Sequence, residues 1–148
     1  MNAESKQILT KLEREYNRGR YPNVPVHATA RKEYEDHTAN GLTRCIVDYI
    51  WFSGGFAERI NRMGFRRKNK YGQEIWVSGG GTNGTADISA VLPGGRSARI
   101  EVKVGRDKIR PDQIRYAEKV IRAGALYFIA RSFDEFLMWY ETIHKQNG

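Results

Sequence analysis

Asp87, Glu101 and Lys103 are the residues of this chain whose types and spacing suggest chemistry. Glu101 and Lys103 stand two apart in "RIEVKV", among Ile100, Val102 and Val104, so a strand here carries a carboxylate and an ammonium on one face. A solvated surface ion pair would be the plain reading, contributing about 0–1 kcal/mol. The apolar alternation argues against exposure, and burying such charges without a task is costly.

Asp87 opens a short strand upstream, and a hairpin connection brings it beside Glu101. Two carboxylates so close repel each other unless a cation lies between them. Mg²⁺ takes oxygen ligands and keeps several waters, so Asp87, Glu101 and the backbone carbonyl of Val102 make a sufficient set. A metal held there would serve phosphodiester hydrolysis, by polarising the scissile phosphate and acidifying a water. Lys103 would orient that water or stabilise charge growing on the phosphate. Gln113, at the head of the following helix, is placed to position water or substrate.

This constellation makes a demand on register. A two-residue turn at Gly94-Gly95 would set Ile88 opposite Glu101 and point Asp87 away. A three- or five-residue loop, or a bulge, sets Asp87 opposite Glu101 or Lys103, and that odd register is the expectation.

The elements that must position these groups follow from periodicity. Ile8, Leu9, Leu12 and Tyr16 predict a helix over 5–16, followed by a connector with Gly19, Pro22 and Pro25. From Asn40, the residues Leu42, Cys45, Ile46, Tyr49 and Ile50 keep the 3.6-residue period, and Gly54-Gly55 stops that helix. Phe56 to Ile60 reads as a strand, "FRRKNKYGQEIWV" as a basic hairpin turning at 69–72, and "SGGGTNGT" as a flexible loop running into Asp87. Strands over 87–92 and 97–104 are joined by "PGGR". Pro111 then opens a helix that ends before Gly124, "ALYFIA" is a buried strand, and Ser132 with Glu135 caps a last helix. The order is helix, three strands, helix, strand, with an extra helix at each end. It predicts an α/β fold whose mixed central sheet is flanked by helices, the last two strands running parallel through a crossover.

The 148 residues suit one domain, with 1–39 as a helical extension and connector and 40–148 as the functional domain. A net charge of +8 favours a polyanionic partner such as nucleic acid. Arg59, Arg66, Arg67, Lys68 and Lys70 are the candidate DNA contacts before the charged strand. Arg106, Lys108 and Arg110 are those after it. A single cysteine, Cys45, excludes an intramolecular disulfide and a thiolate zinc site. The charged N-terminal stretch and the absence of a long apolar run predict an intracellular, cytoplasmic protein with no membrane segment. His27 and His37 do not read as a metal pair. Ser53, Ser78 and Ser132 lack a histidine in a nucleophile-like context. "SGGGTNG" lacks the lysine of a phosphate-binding loop, and Trp51, Trp76 and Trp139 read as core or interface.

Asp87, thirteen residues, Glu101-Val102-Lys103, and Gln113 at the next helix together resemble the PD-(D/E)xK nuclease superfamily. Within it the chain is most similar to VRR-NUC domains, found as short stand-alone phage and bacterial proteins and at the C-terminus of Fanconi-associated nuclease. The matching stretches are "GTADI", "GGRSARIEVKVGRDKIRPDQ", "AGALYFIARSFDEF" and "FAERIN", spanning about residues 40–140. The resemblance implies a restriction-endonuclease-like core and a Mg²⁺- or Mn²⁺-dependent DNA endonuclease. By the same likeness Asp87, Glu101 and the Val102 carbonyl would bind metal, with Lys103 and Gln113 as catalytic partners. It further implies a homodimer cutting branched DNA such as four-way junctions.

Two positions depart from the pattern. Ala86 stands where a proline is usual, and no glutamate occupies the start of the first core helix in "HTANGLTRC". Glu35, Asp36 or an amide would have to replace that glutamate, or a second metal is held weakly. An inactive nuclease fold kept as a DNA-binding module is the alternative reading. A small adaptor or nuclease inhibitor is a third, and it leaves the charged strand unexplained.

Overall fold

The computed structural model describes residues 1–61, 64–77 and 79–145. Four helices and six strands follow in the order α1 (Ala3–Arg20), α2 (Ala39–Phe52), β1 (Phe56–Arg59), β2 (Phe65–Lys68), β3 (Glu74–Val77), β4 (Ile88–Val91), β5 (Ser97–Val102), α3 (Pro111–Arg122), β6 (Leu126–Ala130) and α4 (Phe133–Lys145). A single 3₁₀ turn, Val26–Ala28, interrupts the connector between α1 and α2. The main sheet has the order β1-β4-β5-β6, with β1, β4 and β5 antiparallel and β5 and β6 parallel. This is the mixed sheet the alternation of elements predicts, and α3 is its crossover. β2 and β3 form a separate two-stranded ribbon.

Each helix start carries its own stop for unpaired N–H groups. The Asn2 side chain accepts from the Ser5 N–H, the Thr38 hydroxyl from the Gly41 N–H, and the Ser132 hydroxyl from the Glu135 N–H. Pro111 begins α3, where a missing N–H costs nothing.

One face of the sheet builds the core. Ala57, Ile88, Ala90, Ala98, Ile100, Val102 and Ala130 are paired or alternate into this face, and all are buried. Against them lie Leu42, Ile46 and Ile50 of α2 and Phe133, Phe136 and Tyr140 of α4. Tyr49 locks the two helices together, meeting Phe133, Phe136 and Tyr140 edge-on with ring centroids 5.1–5.8 Å apart. Cys45 is fully buried among these groups, as expected, and burial pushes its thiol up to about 12. The N-terminal helix joins the same core through Leu9, which is completely buried.

The opposite face carries Glu101 and is covered by α3, whose strand contact is with β6. Between β4 and β5, Ile88 pairs with Ile100 and Val91 with Ser97, and the Leu92 N–H donates to the Arg96 carbonyl at 2.9 Å. Pro93, Gly94 and Gly95 are therefore a three-residue loop, closed by the Gly95 N–H on the Leu92 carbonyl at 2.9 Å. Gly94 and Gly95 have φ of 86° and 85°, values that favour glycine. The odd register is the one observed. The strands are shorter than the pattern suggested, since β4 begins at Ile88 and β5 ends at Val102, two residues before Val104.

Replacing Leu9 by Ala is expected to lower stability by about 2–5 kcal/mol. The neighbouring Ile8→Ala, on the outer face of α1, should cost about 0.5 kcal/mol or less. Urea unfolding of the two variants checks the contribution of α1 to the core.

Candidate active site

Asp87 stands one residue before β4, and continuing the register by one places it opposite Glu101 on the face covered by α3. Its position is fixed twice. Its Oδ2 accepts the Val102 N–H at 2.8 Å, and its backbone carbonyl accepts the Ile60 N–H at 2.7 Å. Glu101 and Lys103 are only 2% and 4% exposed, which excludes the solvated ion pair. Lys103 lies just past β5, its N–H still donating to the Ala130 carbonyl at 2.9 Å.

The Lys103 Nζ sits 3.2 Å from Glu101 Oε1 and 3.3 Å from Asp107 Oδ2, bridging a buried and an exposed carboxylate. Gln113 Nε2 donates to the same Glu101 Oε1. The other end of that amide accepts the Arg110 N–H at 3.0 Å, so the start of α3 fixes which way Gln113 points. Both donors reach one oxygen. Glu101 Oε2 is buried with no hydrogen-bond partner among the described residues. Burial, and then repulsion from Asp87, push the Glu101 carboxyl up to about 7, against the opposing pull of Lys103 and Arg110.

A cation would complete this arrangement. Glu101 Oε2 has no partner among the described residues, burial and then Asp87 raise the pKa of its carboxyl, and both carboxylates are hard oxygen donors of the kind Mg²⁺ or Mn²⁺ takes. The Val102 N–H points at Asp87, and in an extended strand the carbonyl of the same residue shares that edge. The three sequence-predicted ligands are thus brought to one place and fit a divalent ion. Among the described residues no three His, Cys, Asp or Glu side chains converge as a metal cluster, so the backbone carbonyl and water would complete the set.

A cleft of about 260 Å³ opens over these groups, lined by Asp87, Glu101, Val102, Lys103, Asp107 and Gln113, with Ala39 and Thr43 from α2 and Arg59 and Arg110 at its sides. A second, of about 390 Å³, continues past Asp87 along Asn83–Ala86 to Asp112 and shares Arg59, Arg110 and Gln113 with it. Gly84 makes this close approach possible, since a Cβ there would stand 2.2 Å from the Asp112 carbonyl oxygen and its φ is 76°. The starts of α2 and α3 both border the first cleft, and helix N-termini favour anions. A larger cleft of about 710 Å³ runs along α1 beside Lys6, Lys11 and Arg14, with no paired carboxylates.

The predicted DNA contacts divide into two groups. Arg59 and Arg110 flank the clefts, while Arg66, Arg67, Lys68 and Lys70 are exposed on the β2–β3 ribbon, and Arg106 and Lys108 are exposed on the turn before α3. Asp107, Thr43 and Ala39 line the site without having been read from the sequence. Asp107 follows Lys103 by four residues in "KVGRD", a spacing that signals a reach only if the chain turns at Gly105, as it does. Neither Glu35 nor Asp36 lines the two clefts. Glu35 accepts from the Thr38 hydroxyl, which holds its pKa below the usual range, and Asp36 binds the N-terminal ammonium at 2.6 Å and the Phe133 N–H at 2.9 Å. His37 pairs with Glu35 rather than with His27. Trp51 donates to the Ala57 carbonyl and Trp139 stacks on Phe128, but Trp76 is 66% exposed and not core. Ser78 lies outside the described residues.

No family model and no curated protein matches the chain. Among solved structures it is similar to a VRR_NUC domain, at 20% identity and a TM-score of 0.46, over 74% of this chain and 97% of that one. That is the domain whose motifs the sequence resembles.

The raised carboxyl gives a pH dependence of definite sign. Folded Glu101 keeps its proton up to about 7 while the unfolded residue loses it near 4.5. The folded chain therefore binds more protons between those values, and stability falls as pH rises through them. Metal-free protein should lose stability from about pH 5 to 7 relative to Glu101→Gln, and Mg²⁺ should restore it at the upper end. Thermal melts across pH with EDTA or Mg²⁺ check both.

Proposed function

We propose that this chain is a Mg²⁺- or Mn²⁺-dependent endodeoxyribonuclease that hydrolyses phosphodiester bonds. The observation that carries the reading is the buried, unpaired oxygen of Glu101 set across from Asp87 at the floor of an arginine-flanked cleft. A structural ion pair would satisfy both carboxylate oxygens. A site for a cation leaves one open.

Asp87, Glu101 Oε2 and the Val102 carbonyl would hold the ion, which when bound supplies Lewis acidity to the scissile phosphate and to the attacking water. Gln113 and Lys103 occupy Glu101 Oε1 and so leave Oε2 free for the ion. The Lys103 ammonium is held between Glu101 and Asp107, where it can stabilise charge growing on a phosphate oxygen or orient the water. Arg59 and Arg110 flank the opening, where they would pair with backbone phosphates of the substrate. Only ionised Glu101 binds the cation, so metal affinity, and with it activity at subsaturating metal, rises with pH toward about 7.

The preference for branched DNA such as four-way junctions, the homodimer that would give one active site to each of two strands, and work inside a bacterial or phage-infected cell follow from the motif resemblance. Residues 40–148 would be the nuclease domain and 1–39 its helical extension. No helix among the described residues is long and apolar enough to cross a membrane. A nuclease fold reduced to DNA binding is the second reading. The intact Asp87, Glu101 and Lys103, with Gln113 in place, favour catalysis over it.

Cleavage of labelled four-way junction, flap, duplex and single-stranded DNA in Mg²⁺, Mn²⁺ or EDTA tests the reading. Cutting should require metal, and Lys103→Ala should slow it about 10²–10³-fold while DNA binding in EDTA persists. Binding by both proteins without cutting by either would leave only the DNA-binding module.

A further inference from the structure

The β2–β3 ribbon is inserted between β1 and β4, the two strands that end beside the cleft. Its root is tied at the active site, where the Ile60 N–H donates to the Asp87 carbonyl. Cross-strand pairing sets Arg66 opposite Trp76 and Lys68 opposite Glu74, so these four share one face. Arg67 and Ile75 lie on the other. Four cations, Arg66, Arg67, Lys68 and Lys70, stand against Glu74, which is itself exposed and 3.4 Å from Arg66.

Two large aromatics interrupt this basic surface. Trp76 is 66% exposed and Tyr71, in the turn, 74%. Neither is needed by the core. Trp76 is nonetheless seated, because a Cβ at Gly64 would stand 2.6 Å from its indole, so the ring rests against the Gly64 backbone with the remainder outward. The Lys70 ammonium lies 5.0 Å from the Tyr71 ring centroid. Isolated exposed apolar side chains need no explanation, but a positioned indole among arginines and lysines combines the two elements of single-strand recognition, a stacking platform and a phosphate-binding surface.

We infer that the β2–β3 ribbon is a nucleic-acid-binding arm on which Trp76 stacks against an unpaired base beside the cut site. The inference rests on the proposed nucleic-acid substrate and names its class: a duplex with a single-stranded segment adjoining it. A fully paired duplex hides its base faces and offers the indole nothing to stack on. The cations grip the phosphates of either form, so charge alone does not discriminate.

Binding is measured in EDTA, where no cutting occurs, to a single-stranded oligonucleotide, a fully paired duplex capped at both ends by non-nucleotide linkers and the same duplex with a single-stranded tail. Trp76→Ala should weaken single-stranded and tailed binding about tenfold and capped-duplex binding about twofold or less, while Trp76→Phe keeps most of the affinity. Indole fluorescence of the wild type should be quenched by the single strand, and the quench should vanish in Trp76→Phe. Equal losses on all three substrates, no loss on any, or an unchanged quench in Trp76→Phe would overturn the arm. If the affinity pattern holds but no metal-dependent cleavage is seen, the nuclease reading fails and the arm stands. Normal cleavage without the pattern removes the arm alone.

Discussion

Repulsion between Asp87 and a buried Glu101 is the constraint on which the rest of the site depends. Taking a carboxylate out of water costs several kcal/mol even after relaxation, and a second carboxylate opposite makes it worse. The chain meets this from several sides at once. Lys103 supplies charge, Gln113 supplies a donor, and the Val102 N–H engages Asp87. What these leave is one buried oxygen without a partner among the described residues, and burial, with repulsion from Asp87, holds the Glu101 carboxyl up at about 7.

Distant parts of the chain exist to hold that geometry. The three-residue Pro93–Gly95 loop sets the register that puts Asp87 across from Glu101, and a slip of one residue would turn it to the core face. α3 is aimed by Pro111 and by the Gln113 amide on the Arg110 N–H, and Gly84 lets the preceding loop lie against that helix start. β6 receives the Lys103 N–H after β5 has ended, which keeps Lys103 aligned with Glu101. The aromatic lock between α2 and α4 fixes the helical layer behind the main sheet, while β2 and β3 pair only with each other.

Much of this was legible because it is local. Alternation in "RIEVKV", glycines at 94 and 95, and proline at 111 report short-range geometry, and they gave the strand, its register and the helix that carries Gln113. Long-range packing was not legible in the same way. The N-terminal helix shows an apolar stripe, but only the fold reveals that Leu9 is as buried as Ile46. Trp76 read as core or interface, and nothing in "QEIWV" tells that its strand pairs only within a ribbon and leaves the indole largely exposed. Asp107, Thr43 and Ala39 reach the cleft through a turn and a helix start whose direction depends on the whole sheet. The α2 residues lining the cleft are an alanine and a threonine, so that helix adds no carboxylate to Asp87 and Glu101 there.

Mn²⁺ binding followed by electron paramagnetic resonance tests the central claim most directly, since it sees the ion without requiring turnover. The account predicts one bound Mn²⁺ per chain near pH 8, competed by Mg²⁺, lost in Asp87→Asn and Glu101→Gln, and weakened as pH falls below about 7. Stoichiometric binding that survives both substitutions, or no binding by the wild type, would contradict it.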